Sequence, residues 1–344
     1  MTFSIIIPVY NVVPYLRECL SSVVKAAEKL NGFKVEERSV EIVCVDDGST
    51  DGSGAILDEY ASRFNSSTLK PCNFKVIHQP NRGVSVARNA ALDVATGEWV
   101  LFVDADDVIS PRTLEGCRQA IETVADVELV HFHQTQFPQD GHPAGLAEPL
   151  PSKVSAVDMT KRLDPVIVDS CCYQFAYRRD CLNGIRFEVG RRIGEDLVFI
   201  ADFLKRCNRV VETGAVFYGY RLRMGSAFHS QKSELALREG ISSLVLRFER
   251  LLADPRAVDR ACVKRRAIGI TEFFARDFFS LPRQERTGLL AAWCQEVERL
   301  EAFAFRIPCW SRWVMWLLCR VRAPVLLWLL CFLPDFIKRK GFHR

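Results

Sequence analysis

Short apolar runs alternate with helical stripes through the first 135 residues. "FSIIIPV" (Phe3–Val9) is continuously apolar, as a strand buried on both faces of a parallel sheet must be. Leu16, Leu20, Val23, Val24 and Ala27 then recur at helical spacing. "VEIVCV" (Val40–Val45) predicts a second strand, and Ile56, Leu57, Tyr60, Ala61 and Phe64 a second helix. "FKVIH" (Phe74–His78) predicts a third strand, followed by a helix over 85–95 with Ser85 as its N-cap. "EWVLFV" (Glu98–Val103) is the fourth strand, Ser110-Pro111 opens a helix running to about Val124, and "ELVHFHQ" (Glu128–Gln134) is the fifth strand. Strands spaced by helices in this way imply βαβ units. The fold class is α/β, a mostly parallel, Rossmann-like sheet flanked by helices.

Beyond this block the Pro- and Gly-rich stretch from Phe137 to Ser155 predicts a long loop. "CCYQFAYRRDCL" reads as helical or mixed, "GEDLVFIADFLKRC" as a helix with acids in its first turn, and "VVETGAVFYGYRLR" as a strand. Helices are expected from Ser233 to about Phe305. The expected organisation is a catalytic domain over 1–225, a helical extension over 226–305 and a distinct tail over 306–344.

Composition sharpens the tail. The net charge is +4, yet from Arg306 onward eight lysines and arginines face one acid, Asp335, so the tail carries +7 and the rest −3. A mildly acidic body does not suit nucleic acid, where the basic stripe lies on the folded domain. Trp310, Trp313, Trp316 and Trp328 stand among Arg312, Arg320, Arg322 and Lys338–Lys340, but the longest uncharged run, Ala323–Pro334, is twelve residues. That is short of the roughly 20 that span a bilayer. The tail is expected to lie on a membrane surface, holding the protein peripherally on the cytoplasmic face. Thirteen cysteines without C-x-x-C spacing, and a short N-terminal apolar run without a basic flank, fit reduced thiols in the cytosol and neither a zinc site nor a signal peptide.

The chemistry gathers just after the strands, where a doubly wound sheet binds its ligands. Pro8-Val9-Tyr10-Asn11 ends the first strand and Asp46-Asp47-Gly48-Ser49-Thr50-Asp51 the second. Gln79-Pro80-Asn81-Arg82-Gly83 follows the third, with Arg88 on the next helix, and Asp104-Ala105-Asp106-Asp107 ends the fourth. Asp-x-Asp supplies hard oxygen ligands suited to Mg²⁺ or Mn²⁺. Each motif alone is equally good turn or cap chemistry. Gly194-Glu195-Asp196 is alone no more than acids placed well on a helix dipole. The absence of G-x-G-x-x-G argues against a dinucleotide site.

Taken together, "SIIIPVYN", "VDDGSTD", "QPNRGVSVARNAALDVATGEWVLFVDADD" and "GEDLVF" resemble the inverting family 2 glycosyltransferases with the A-type nucleotide-diphospho-sugar fold, over about Met1–Tyr220. The resemblance implies transfer of a sugar from a nucleotide-diphosphate donor, expected to be a UDP-sugar, to a hydroxyl of a glycan or lipid-linked saccharide in polysaccharide biosynthesis. It implies that Pro8, Tyr10 and Asp46 or Asp47 line the nucleotide, that Asn81 and Arg88 contact the donor, and that Asp104 and Ala105 face the ribose or sugar. Asp106, with Asp104, would bind a divalent Mn or Mg ion. Asp196 would be the catalytic base, with Glu195 beside it. "YRLRMGSAFH" is similar to the family's late basic loop, in which Arg221, Ser226 or His229 would close over the diphosphate. His131 and His133, alternating on one strand, are expected to be structural. The rivals are a sugar-phosphate nucleotidyltransferase, which would carry a Gly-rich basic loop after the first strand, and a non-catalytic scaffold of the same fold.

Overall fold

In a computed structural model, residues 1–31, 39–66, 71–146, 154–160, 170–223 and 234–254 are described, with a few isolated positions between 281 and 296. The chain divides into two units, Met1–Ser230 and Gln231–Arg344. The first opens with β1 (Phe3–Val9), α1 (Val13–Asn31), β2 (Val40–Asp46), α2 (Ser53–Ser66), β3 (Asn73–His78), α3 (Val84–Val94) and β4 (Trp99–Phe102). It continues through β5 (Val108–Ile109), α4 (Thr113–Thr123), β6 (Leu129–Pro138), β7 (Ser155–Asp158), β8 (Phe175–Arg178), α5 (Glu195–Leu204) and β9 (Arg209–Leu222). In the second unit α6 spans Glu234–Leu252. No helix among the described residues is long and apolar enough to cross a membrane. The tail over 306–344 lies outside them.

The strands form one sheet in the order β3-β2-β1-β4-β8-β6-β9-β5, with β7 on β9. The block β3-β2-β1-β4 is parallel, as the apolar runs require. Every residue of β2 is buried, and Ile5, Ile6 and Ile7 of β1 are fully so. The other half is mixed: β8 runs antiparallel to both β4 and β6, β6 is parallel to β9, and β5 and β7 are antiparallel to it. The run expected as the next parallel strand is thus separated from β4 by β8. Phe175, Ala176 and Tyr177 of β8 are all fully buried, so "CCYQFAYRRDCL" lacks the alternation that marks a half-exposed strand.

Two local signals resolve differently from the sequence pattern. α3 begins at Val84 behind Gly83, whose φ is +91°, and Ser85 lies buried inside the helix instead of capping it. Asp47 instead holds the Arg82 and Gly83 N–H groups just before the helix, as described below. On β2, Glu41 is a buried acid in an apolar run, receiving the Ser4 hydroxyl (2.5 Å), Lys75 Nζ (2.7 Å) and both the N–H and the hydroxyl of Thr96. Burial would raise its carboxyl, but Lys75, Ser4 and Thr96 together lower it to about 2.

The face of the sheet that carries α5 is aromatic. Phe187 and Phe199 stack with centroids 3.9 Å apart, and Phe102 meets both edge-on at 5.2 and 5.5 Å. Tyr177 packs against Phe203 at 4.9 Å. This cluster ties α5 to β4, so the first turn of the helix faces the segment that follows the strand. The eight cysteines among the described residues are all free thiols, most of them buried.

Candidate active site

Register brings the motifs to one edge. Val9 pairs with Asp46, Asp46 with His78, and Ile6 with Phe102. Because β2 lies on one side of β1 and β4 on the other, the chain reverses direction at β1 and leaves a crevice at the strand ends. Pro8 is half-buried there, and Tyr10 is 48% exposed.

The loops after β1 and β2 are laced together. Asn11 Oδ1 accepts the Thr50 N–H (2.8 Å), and Ser49 Oγ accepts the Asn11 N–H (3.1 Å). Asp51 caps two helices: Oδ2 accepts the Val13 N–H of α1 (3.0 Å) and Oδ1 the Ser53 N–H of α2 (2.9 Å). Asp46 accepts the Ser49 N–H (3.0 Å) and pairs with His78 Nδ1 (3.0 Å), while His78 Nε2 meets Asp58 (3.0 Å). Burial would raise Asp46, but hydrogen bonds from Ser49 and His78 hold it below its ordinary value; Asp46 and Asp58 in turn raise the His78 imidazole.

Asp47 is buried and holds the loop after β3. Its Oδ1 accepts Gln79 Nε2 (2.7 Å) and the Arg82 N–H (2.8 Å), and Oδ2 accepts the Gly83 N–H (2.8 Å). A carboxylate here also meets the positive end of α3. Gly48 makes the approach possible: its φ is +76°, and a Cβ would stand 2.7 Å from Asn81 N and 3.2 Å from the Gln79 carbonyl. Asn81 is thereby held beside the Asp46–Asp47 turn.

Three acids follow β4, and each finds a partner remote in sequence. Arg88, its side chain 5% exposed, forks between Asp104 Oδ1 and Glu195 Oε1, both at 2.8 Å. Its Nε, buried, has no hydrogen-bond partner among the described residues, and the guanidinium lies 5.1 Å from the Phe187 ring centroid. Both terminal nitrogens are thus engaged by protein carboxylates. Asp106 Oδ2 is paired with Arg223 Nε. Asp107, fully buried, accepts the Tyr218 hydroxyl (2.7 Å) and the Arg221 N–H (2.7 Å). Burial and the charges of Asp106 and Asp104 push its carboxyl up. Ala105 is buried between these acids.

Arg221 is a buried strand residue of β9, not part of an open loop. Its Nε donates to the Asp106 carbonyl (2.8 Å), Nη1 to the Gln139 carbonyl (2.7 Å) and Nη2 to Glu18 (2.5 Å), with Tyr15 and Phe137 at its faces. Arg223, two residues on, is the guanidinium paired with the Asp106 carboxylate. Its signal was present in "YRLRM", where strand alternation places Arg221 and Arg223 on one side. Ser226 and His229 lie outside the described residues.

α5 supplies the last acids. Gly194, at φ 75° and ψ 22°, turns the chain into the helix so that Glu195 and Asp196 form its first turn. Burial pushes Glu195 up to about 7, against the pull of Arg88 and with a contribution from Asp196. Asp196 is half-buried, and its Oδ1 accepts the Leu197 N–H (2.8 Å). Arg88 therefore links Asp104 after β4 to the start of α5 in one buried fork.

The donor set suits a hard divalent cation. Asp104 and Asp106 retain 27% and 18% side-chain exposure and offer only carboxylate oxygens. Asp106 can give Oδ2 to a cation only by releasing Arg223.

The "Glycosyl transferase family 2" model matches residues 4–186, more than half of the chain. The chain is 31% identical over 232 residues to the glycosyltransferase GlyA of Streptococcus pneumoniae, covering 65% of this chain and 31% of GlyA. It is 29% identical over 236 residues to the poly(ribitol-phosphate) beta-N-acetylglucosaminyltransferase TarS of Staphylococcus aureus, of which it spans 38%. Its structure is similar to residues 1–349 of TarS solved with UDP-GlcNAc, with a TM-score of 0.61 and 26% identity over 88% of this chain and 84% of that one. The mannosyltransferase PcManGT of Pyrobaculum calidifontis, solved with GDP-Man and Mn²⁺, shares the fold at a TM-score of 0.50 and 19% identity, over 96% of this chain and 83% of that one. The chain belongs to glycosyl transferase family 2.

Proposed function

We propose that this glycosyltransferase moves a sugar from a UDP-sugar to a hydroxyl of a glycan or lipid-linked saccharide, with inversion at the anomeric carbon. One observation carries the reading: Asp104 of the Asp-x-Asp segment and Glu195 of the Glu195-Asp196 turn are joined by a single buried guanidinium, Arg88. A nucleotide-sugar site and a base are thereby rigidly related. The UDP-GlcNAc bound by TarS and that protein's role on poly(ribitol-phosphate) support a UDP-sugar and a cell-surface polymer acceptor.

In this reading Tyr10, Pro8 and Asp46 line the nucleoside, with Asn81 held beside them by Asp47. Asp104 and Asp106 would hold Mg²⁺ or Mn²⁺, which supplies charge neutralisation for the departing diphosphate. Asp196 takes the acceptor proton as the hydroxyl attacks the face of the sugar opposite the leaving group. The positive end of α5 favours its ionised form. Arg88 positions Asp104 and Glu195 from behind. The basic, tryptophan-rich tail over 306–344 supports an acceptor at a membrane surface; deleting it should abolish sedimentation with anionic vesicles.

Asp196→Asn keeps the shape and removes the basicity. It should lower kcat by about 10²-fold or more with donor affinity little changed, measured by diphosphate release across a UDP-sugar panel. Near wild-type turnover would move the base to Glu195.

A further inference from the structure

His131 and His133 project from the same side of β6, and Glu212 is the register partner of His131 on β9. The pairing is irregular between His131 and His133 and again before Gln134, and such a bulge re-aims side chains. Both rings converge on one carboxylate. Glu212 Oε2 is hydrogen-bonded to His131 Nδ1, and Oε1 lies 3.6 Å from His133 Nε2. One ligand atom from each of the three residues lies within 4.8 Å of the other two.

We propose that His131, His133 and Glu212 form a second cation site, for a borderline transition ion of the Zn²⁺ class, with three protein ligands and one position open to solvent. Two imidazoles and a carboxylate are the donor set such ions take, whereas Mg²⁺ and Ca²⁺ take oxygens. The surroundings are those of a built site. His131 is fully buried, and its other nitrogen, Nε2, lies 2.7 Å from Ser170 Oγ, which fixes the ring. The Gly214 N–H donates to Glu212 Oε1 (2.9 Å) and orients the carboxylate. His133 is 43% exposed, which leaves a path for the ion. A buried His–Glu hydrogen bond would account for His131 and Glu212 but not for the convergence of His133. Binding replaces the His131–Glu212 hydrogen bond and ties β6 to β9 across the bulge.

The test is a Co²⁺ titration of the full-length chain, followed by visible absorption. Four-coordinate nitrogen–oxygen ligation gives intense d–d bands, hexacoordinate carboxylate–water ligation gives weak ones, and binding to any of the thirteen cysteines gives sulfur charge transfer. The wild type should show the intense bands at one equivalent, without sulfur charge transfer. His133→Ala, at the exposed position, should lose them. Ser170→Ala should weaken binding about 10–100-fold. Zn²⁺ should raise Tm in the wild type and not in His133→Ala. Weak or sulfur-derived bands in the wild type, or intense bands retained in His133→Ala, overturn the site and leave the His131–Glu212 hydrogen bond as the whole of its function.

Discussion

Replacing Arg88 by Met tests whether the guanidinium is scaffold or donor ligand. Met keeps the unbranched apolar stem of the side chain but removes the guanidinium, and with it the fork to Asp104 and Glu195 and the contact over Phe187. Both bonds are 2.8 Å long, the arginine is 5% exposed, and Glu195 is 12% exposed. Removing one partner of a buried ion pair leaves the other charge stranded, at a cost of about 3–5 kcal/mol. Asp104, 27% exposed, recovers part of its hydration, so the lower end, about 3 kcal/mol, is expected. Burial already pushes Glu195 up to about 7 with Arg88 pulling it down, so in the variant it should rise further, and proton uptake there relieves part of the stranded charge and also favours the lower end of that range. Urea denaturation should show the stability loss. A double-mutant cycle with Glu195→Gln should return a coupling of about 1–3 kcal/mol. UDP binding by calorimetry should weaken only in step with the displacement of Asp104. A variant of wild-type stability that nevertheless loses UDP affinity would refute the reasoning and return Arg88 to the diphosphate.

Three more outcomes follow from the same geometry. Glu41 is held at about 2 against an ordinary 4.5, so its contribution is complete above pH 4.5 and is lost as pH falls through the lower value; Glu41→Gln should remove about 2–3 kcal/mol at pH 7 and flatten the acid limb of the stability curve. Gly48→Ala combines a positive φ with a Cβ driven against the Asn81 backbone, and should cost about 2–3 kcal/mol in denaturation and weaken UDP binding by shifting the 79–83 loop. Arg223→Gln frees Asp106 from its half-exposed pair and should tighten Mn²⁺ binding about 2–5-fold by calorimetry; weaker binding would mean that Arg223 orients Asp106 instead of competing for it.

What the sequence made legible is what is local. The apolar runs of β1 and β2 have one partner geometry available, a parallel sheet buried on both faces, and the turn residues after them had to fall at its carboxyl edge. Asp46, Asp104 and Asp106 are visible for that reason. β8 was not, because a four-residue strand with three consecutive buried residues carries no periodicity to separate it from a helix. Nor was the division of labour inside the motifs. Asp46 and Asp47 are neighbours of the same type, yet one faces His78 at the strand end while the other is spent on three donors of the next loop. That difference depends on where the 79–83 loop runs, which no window around Asp47 contains. Likewise no window around His131 and His133 contains Glu212, which β9 brings beside them.

The charge balance of the crevice shows the same limit and gives it a mechanical sense. Asp104 and Asp106 have no basic neighbour in sequence, but in space each has an arginine, and the two arginines differ in burial. Arg88, with Arg221 beneath the Asp106 carbonyl, is locked by carboxylates, carbonyls and ring faces, so moving either means breaking several bonds in a low-dielectric setting where each is strong. Arg223 has side-chain exposure of 24% against 5% for Arg88 and makes one ion pair instead of two, so exchanging its pair with Asp106 for a cation or a diphosphate oxygen costs less than breaking the Arg88 fork. A transferase needs both properties in one place. The base must keep its distance from the anomeric carbon through the whole turnover, and the groups that hold the leaving diphosphate must let it go at the end. In the proposed mechanism the buried fork at Arg88 would supply the first and the partly exposed pair at Arg223 the second. It follows that a charge-preserving Arg223→Lys should change the rate of UDP release more than the rate of the chemical step, whereas Arg88→Lys, which cannot fork to two carboxylates, should slow the chemical step first.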